Sequence, residues 1–135
     1  MAIQLSVTVR NARLDAIETA IGASAVLKIR TGAAPANCAA ADSGTVLATV
    51  NLPADWLAAA AAGSKAKSGT WEDASADAAG TAGHFRLYAS DGTTCHAQGT
   101  VTATGGGGDL TVDNVVFALA QAFSITGFTL TDGNA

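Results

Sequence analysis

The sequence predicts a mainly β fold, a β-sandwich or β-barrel of the jelly-roll or immunoglobulin-like kind, with one N-terminal α-helix. Three observations predict it. Beyond residue 22 the large apolar residues fall in short runs broken by Gly, Pro, Asn and Asp, as strands joined by turns do. Before residue 22, Leu14, Ile17 and Ile21 recur at spacings of three and four, which places them on one helical face. The length, 135 residues, suits a single β-rich domain over 1–135 that buries roughly two-thirds of its unfolded surface without a metal or disulfide.

The helix is expected over about 6–21. Ile3, Leu5, Val7 and Val9 alternate as a strand would, but Ser6 or Thr8 can cap a helix. Ala12, Ala16 and Ala20 favour helix by propensity, and Gly22 tolerates the conformation that ends one. Arg10 and Arg13 are expected on its solvated side. The first strand is read at 25–31, with Lys28 and Arg30 pointing outward between Val26, Leu27 and Ile29. A loop of small residues follows over 32–45. The next strand is 46–52, stopped by Pro53.

Alanine content predicts a short helical turn at 54–62, anchored by Trp56 and Leu57. Two turns are marginal alone, so it must lean on the body of the protein. Residues 66–72, with Trp71, read as a weak strand, and 73–82 as an exposed loop. Asp91-Gly92 marks a hairpin between strands at 83–90 and 94–104. A two-residue turn there sets Tyr88 opposite Cys95. Strands at 110–118 and 122–131 complete the chain, the last with a bulge at Gly127. Leu14, Ile17, Trp56, Leu57 and Trp71 are the expected packing or interface anchors.

Charged residues are 13% of the chain, about half the usual quarter, so part of the surface is expected to face other protein. The net charge of −4 and seven basic residues without a run argue against nucleic acid, which needs Lys and Arg to displace counterions. No apolar stretch reaches the ~20 residues of a membrane span, and the start lacks the charged and apolar regions of a secretory leader.

Little in the sequence points to chemistry. The run Gly105–Gly108 is followed by Asp109 rather than Lys and Ser or Thr, so it reads as a flexible loop and not a phosphate cradle. Cys38, Cys95, His84 and His96 lack the close pairing of zinc ligands. His84 and Cys95 share a hairpin but not a register position, which leaves a nucleophile without its base. Cys38 and Cys95 are read either as buried free thiols or as a disulfide whose loop closure stabilises by at most roughly 4 kcal/mol. No catalytic residue, cofactor or metal ligand is expected. Glycan binding would need exposed aromatics, and only 5% of residues are aromatic.

Several segments resemble small virion proteins of tailed bacteriophages, of the capsid decoration (cement) type. They are Arg10-Asn11-Ala12-Arg13-Leu14-Asp15-Ala16-Ile17-Glu18-Thr19-Ala20-Ile21-Gly22, the Gly32 to Ala39 segment with Pro35-Ala36-Asn37-Cys38, Gly69-Thr70-Trp71, Gly83-His84-Phe85-Arg86-Leu87-Tyr88 and Gly99-Thr100-Val101-Thr102. The resemblance covers most of the chain and carries no functional residues with it. It implies a non-enzymatic structural subunit, made in the host cytoplasm and placed on the capsid surface. Its partner would be the major capsid protein, and it would act as a homo-oligomer, trimer or dimer. The alternative is a tail or head-fibre component with a receptor- or glycan-binding surface.

Overall fold

A computed structural model describes residues 3–133. The chain opens with α1 (Val7–Ile21). Ser6 is its N-cap, its hydroxyl accepting from the Val9 N–H at 3.3 Å. Gly22 ends it at φ 92°, donating its N–H to the Glu18 carbonyl. Leu14 and Ile21 are the helix residues buried in the body.

Nine strands follow among the described residues: β1 (Val26–Thr31), β2 (Val46–Asn51), β3 (Ser64–Ala66), β4 (Glu72–Asp73), β5 (Gly80–Tyr88), β6 (Cys95–Ala103), β7 (Leu110–Val112), β8 (Val116–Phe117) and β9 (Phe123–Thr131). They form one sheet in the order β2-β1-β5-β6-β7-β9-β3, with β4 on β9 and β8 on β5. The sheet curls into a half-barrel. The segment from β4 to Asp77 joins its two sides. Asp73 and Glu72 pair with β9, while the Asp73 carboxylate accepts from Thr49 N–H of β2 at 3.2 Å, and Asp77 N–H donates to the Leu47 carbonyl. Ala76 is buried between them, so the exposed loop expected over 73–82 holds only in part: Ala74, Ser75, Asp77 and Ala79 are exposed and irregular, while Ala76 plugs the seam and residues from Gly80 on belong to β5.

Inside the curl, alternate residues of the strands build the core. Leu27, Ile29, Leu47, Phe85, Leu87, Leu110, Ile125 and Phe128 are all buried. Trp56, Trp71, Phe128 and Phe85 form an aromatic chain across it, with centroid separations of 6.1, 5.4 and 5.8 Å, distances at which rings attract.

Two other local expectations are corrected. The 54–62 segment is not helical. Its amides are taken elsewhere: Leu57 N–H by Glu18 Oε1, Ala60 N–H by Asp15 Oδ1, Ala58 N–H by the Ala66 carbonyl and Ala61 N–H by that of Ser64. Tertiary partners override alanine propensity.

The glycine run is not a slack loop either. β6 and β7 are parallel, Val101 opposite Leu110, although parallel strands usually need a crossover of a dozen residues or more. Gly105 and Gly107 adopt positive φ, and a Cβ at Gly106 or Gly108 would press on Thr102. Thr102 Oγ1 accepts the Gly108 N–H at 3.0 Å, and Asp109 accepts from both the N–H and the hydroxyl of Thr100 at 2.9 Å. The glycines let the chain double back within six residues.

Candidate functional site

Along β1 and β5 one face is apolar and feeds the core. The other carries Lys28, Arg30, His84, Arg86 and Tyr88. Alternation alone assigns that face to solvent, but Arg30, His84, Arg86 and Tyr88 are buried. The 32–45 segment, which has no regular structure, lies over them as a lid.

The lid carries its own carbonyls and one carboxylate to the sheet. Arg86 is 1% exposed. It donates Nη2 to the carbonyls of Asn37 and Cys38 at 3.2 and 2.9 Å, and Nη1 to that of Ala40 at 3.1 Å. It also pairs with Asp42. Arg30 Nη2 donates to Asp42 Oδ2 at 2.9 Å, and the Tyr88 hydroxyl donates to Asp42 Oδ1 at 2.7 Å. Gln98 donates to the Pro35 carbonyl at 2.6 Å. His84 Nδ1 lies 2.8 Å from the Gly32 carbonyl, which can only accept, so Nδ1 carries the proton. Burial works against ionised Asp42, but the Tyr88 hydroxyl and the two guanidiniums outweigh it and hold its carboxyl below the ordinary value. Burial, reinforced by the bond to Asp42, pushes the Tyr88 phenol up.

At the start of the lid, Gly83 faces the Gly32 backbone so closely that any Cβ would collide with the Gly32 carbonyl. Gly83→Ala is expected to lose about 2 kcal/mol by forcing the two segments apart, measured as a lower urea midpoint. A Tm equal to that of the parent would contradict this packing.

A second polar clamp fixes the helix. Lys65 of β3 is 3% exposed. Its ammonium reaches Asp15 Oδ1 at 2.7 Å and Glu18 Oε2 at 2.9 Å on α1, and the Ala58 carbonyl at 2.9 Å. Burial disfavours the charge, but the two carboxylates outweigh it and raise the Lys65 pKa. Arg10 donates to the Asp132 carbonyl at 2.9 Å and Arg13 pairs with the Asp132 carboxylate at 3.2 Å; Arg10 is half-buried and leaves the solvated side expected of it, while Arg13 stays exposed on that side as expected. Lys65→Met keeps the bulk and removes three charge-assisted contacts. It is expected to cost about 2 kcal/mol and to speed amide exchange in α1 first. Uniform exchange across the whole chain would contradict a local clamp.

Of the expected anchors, Leu14, Trp56, Leu57 and Trp71 are buried. Ile17 is not. The helix turns its Arg10, Asn11 and Glu18 side toward 57–65 to make the polar clamp, and Ile17 is left 38% exposed at the rim of an open groove of about 400 Å³ shared with Arg13, Leu14, Ala16, Thr131 and Asp132. Both tryptophans lie in the core, so neither offers a stacking face to a sugar.

Cys38 and Cys95 are free thiols. Tyr88 lies opposite Cys95, as the turn predicts, and a register shift between Leu87 and Tyr88 then sets Thr100, not Gly99, opposite His84. His84 and Cys95 are therefore four strand positions apart in register, roughly 13 Å, and do not form a nucleophile–base pair. Among the described residues no three His, Cys, Asp or Glu side chains gather as metal ligands, and no helix is long and apolar enough to cross a membrane.

The surface itself is where large apolar side chains remain unburied. Ile3, Val7, Val9 and Ile17 do so on and before α1, and Val116 and Leu119 around β8. Set against family models, curated proteins and solved structures, the chain matches none of them.

Proposed function

We propose that this chain is a structural virion protein that decorates and stabilises a bacteriophage capsid by binding between capsomers, with the major capsid protein as its partner. One observation carries the reading beyond the sequence resemblance. All seven basic side chains are engaged within the chain: Arg10 and Arg13 at Asp132, Lys28 on the Gly92 carbonyl, Arg30 and Arg86 under the lid, Lys65 in the helix clamp and Lys67 on the Gly69 carbonyl. The cationic side chains serve the rigidity of the molecule, and exposed carboxylates such as Asp55, Glu72 and Asp113 carry its net negative charge. Beside these it offers outward small residues and the exposed apolar side chains of Val7, Val9, Ile17, Val116 and Leu119.

A rigid body with an apolar, weakly charged face suits repeated docking. Binding the assembled shell and not its free parts favours assembly by linkage, and a trimer or dimer multiplies weak contacts by effective concentration. Substituting aspartate at Val9 and Ile17 should abolish co-sedimentation with capsid-protein shells while leaving Tm within a few degrees, since both side chains already face water. Undiminished co-sedimentation of that variant, and of a second one altered at Val116 and Leu119, would defeat the docking surface assigned to it.

A further inference from the structure

We infer that copies of this chain join head to tail: the turn that carries Leu119 on one copy enters the groove beside α1 on the next. Joining in this way needs no shell and is distinct from docking on one.

The turn holds its leucine rigidly. Between β8 and β9, Gln121 N–H donates to the Ala118 carbonyl at 3.1 Å, and Ala118 N–H donates to Gln121 Oε1 at 2.9 Å. Ala120 N–H donates to the Ala76 carbonyl at 2.9 Å, and Ala76 N–H to that of Gln121 at 2.8 Å, so the turn is tied to the seam between the two sides of the sheet. Ala120 sits at φ 65°, a left-handed conformation that an alanine keeps only where its surroundings impose it, and such positions gather at functional sites. Leu119 beside it is 68% exposed. A side chain fixed in this way before binding loses little freedom on contact.

The groove lies at the other end of β9. Phe123 starts that strand two residues past the turn, while Thr131 and Asp132 at its end line the groove together with Leu14, Ala16 and Ile17 of α1. The nine residues of the strand set turn and groove roughly 25 Å apart, so Leu119 cannot fill the groove of its own copy. The groove is open and of about 400 Å³, and its helix wall is apolar.

Charge selects a second copy as the occupant. All seven basic residues lie among the described ones, and Arg13, at the rim of the groove, is the one of them that is exposed. Its Nε pairs with Asp132 at 3.2 Å, and 60% of the side chain still faces water. Against the turn lies a second groove, of about 330 Å³, lined by Glu72, Asp73 and Asp113 and by Ala122 and Phe123, which follow Gln121 directly. Glu72 and Asp113 are exposed. Each copy thus presents an apolar side chain beside carboxylates at one end of β9, and an apolar groove beside an arginine at the other. The two ends complement each other in shape and in charge, and neither complements itself. The contact is therefore heterologous and closes as a reciprocal pair or a ring.

The test is sedimentation velocity on the purified full chain across a range of concentrations, with no capsid protein present. The parent should associate reversibly. Leu119→Asp and Ile17→Asp each alter an exposed side chain, and each should weaken association at least about thirtyfold. Mixed together, the two variants should form a heterodimer, because the intact turn of one meets the intact groove of the other. Arg13→Glu should weaken association about tenfold, and Asp113→Arg added to the same chain should recover most of it. A parent that stays monomeric, a Leu119→Asp chain that associates as the parent does, or two variants that stay apart on mixing would overturn the head-to-tail contact. If either aspartate variant melts early, the Arg13→Glu and Asp113→Arg pair decides instead, and no recovery in the double variant counts against the contact. A parent monomeric at every concentration, whose Leu119→Asp form no longer co-sediments with capsid-protein shells, would give the turn to the capsid protein and equally overturn its docking on a second copy.

Discussion

Trp71→Ala is expected to cost about 3–5 kcal/mol, a large share of the roughly 5–15 kcal/mol by which a domain is stable. Trp71 is 1% exposed and sits between Trp56 and Phe128. Its indole N–H donates to the Ser68 carbonyl at 3.0 Å, and its own carbonyl accepts from Ile125 of β9. Truncation leaves a cavity where the 56–71 segment meets the sheet, and the packed strands cannot collapse to fill it. The urea midpoint should fall in proportion. Trp71→Phe, which keeps an aromatic ring but loses the indole N–H, should lose less. Equal losses for the two variants would mean that the ring chain contributes little beyond the single hydrogen bond.

Asp42→Ala should be nearly as damaging, about 3 kcal/mol, because it strands two buried guanidiniums. Asp42 is itself partly in water, which keeps the cost at the lower end. The carboxylate also accepts the Tyr88 hydroxyl, so three lid contacts go at once. The pH dependence follows from the lowered Asp42 pKa. The unfolded chain binds that proton more readily than the folded one, so the contribution is complete above the ordinary carboxylate value of 3.8. It is lost as pH falls through the lower folded value. Asp15, lowered by its bond to Lys65 and by the Ala60 N–H, acts in the same sense. Parent Tm should be level from neutral pH down to about 4 and drop below it. Asp42→Ala should start lower and drop less. An acid profile for the variant parallel to that of the parent would assign the acid sensitivity to other carboxylates.

The strands are the most legible part of the sequence because burial on one face writes a period of two into each. Val26–Thr31, Val46–Asn51 and Phe123–Thr131 all stand within a residue of where alternation puts them. The Asp91-Gly92 turn also sets the hairpin register correctly at Tyr88 and Cys95. What local pattern misses depends on distant partners. Lys28 and Arg30 alternate outward as expected, yet nothing in residues 26–31 says that residues 32–45 fold back over them. The signal available is chemical: two arginines on the polar face of neighbouring strands, and a lone Asp42 in a long irregular segment. The alanines of 54–62 fail as helix formers because Asp15, Glu18 and Ala66 compete for their amides. Ile17 departs from the helical-face expectation because the helix commits its inner side to Lys65 as well as to leucine and isoleucine.

The two clamps bear on rigidity, and rigidity matters here only if the molecule works by fitting against a shell. The direct measurement is thermal disassembly of empty capsid shells with and without the purified chain, followed by light scattering across a range of added subunit. Saturable binding to intact shells, with disassembly moved to higher temperature and no binding to unassembled capsid protein, is what a decorating subunit predicts. Shells that disassemble at the same temperature at every ratio, with the chain left in the supernatant, would contradict it.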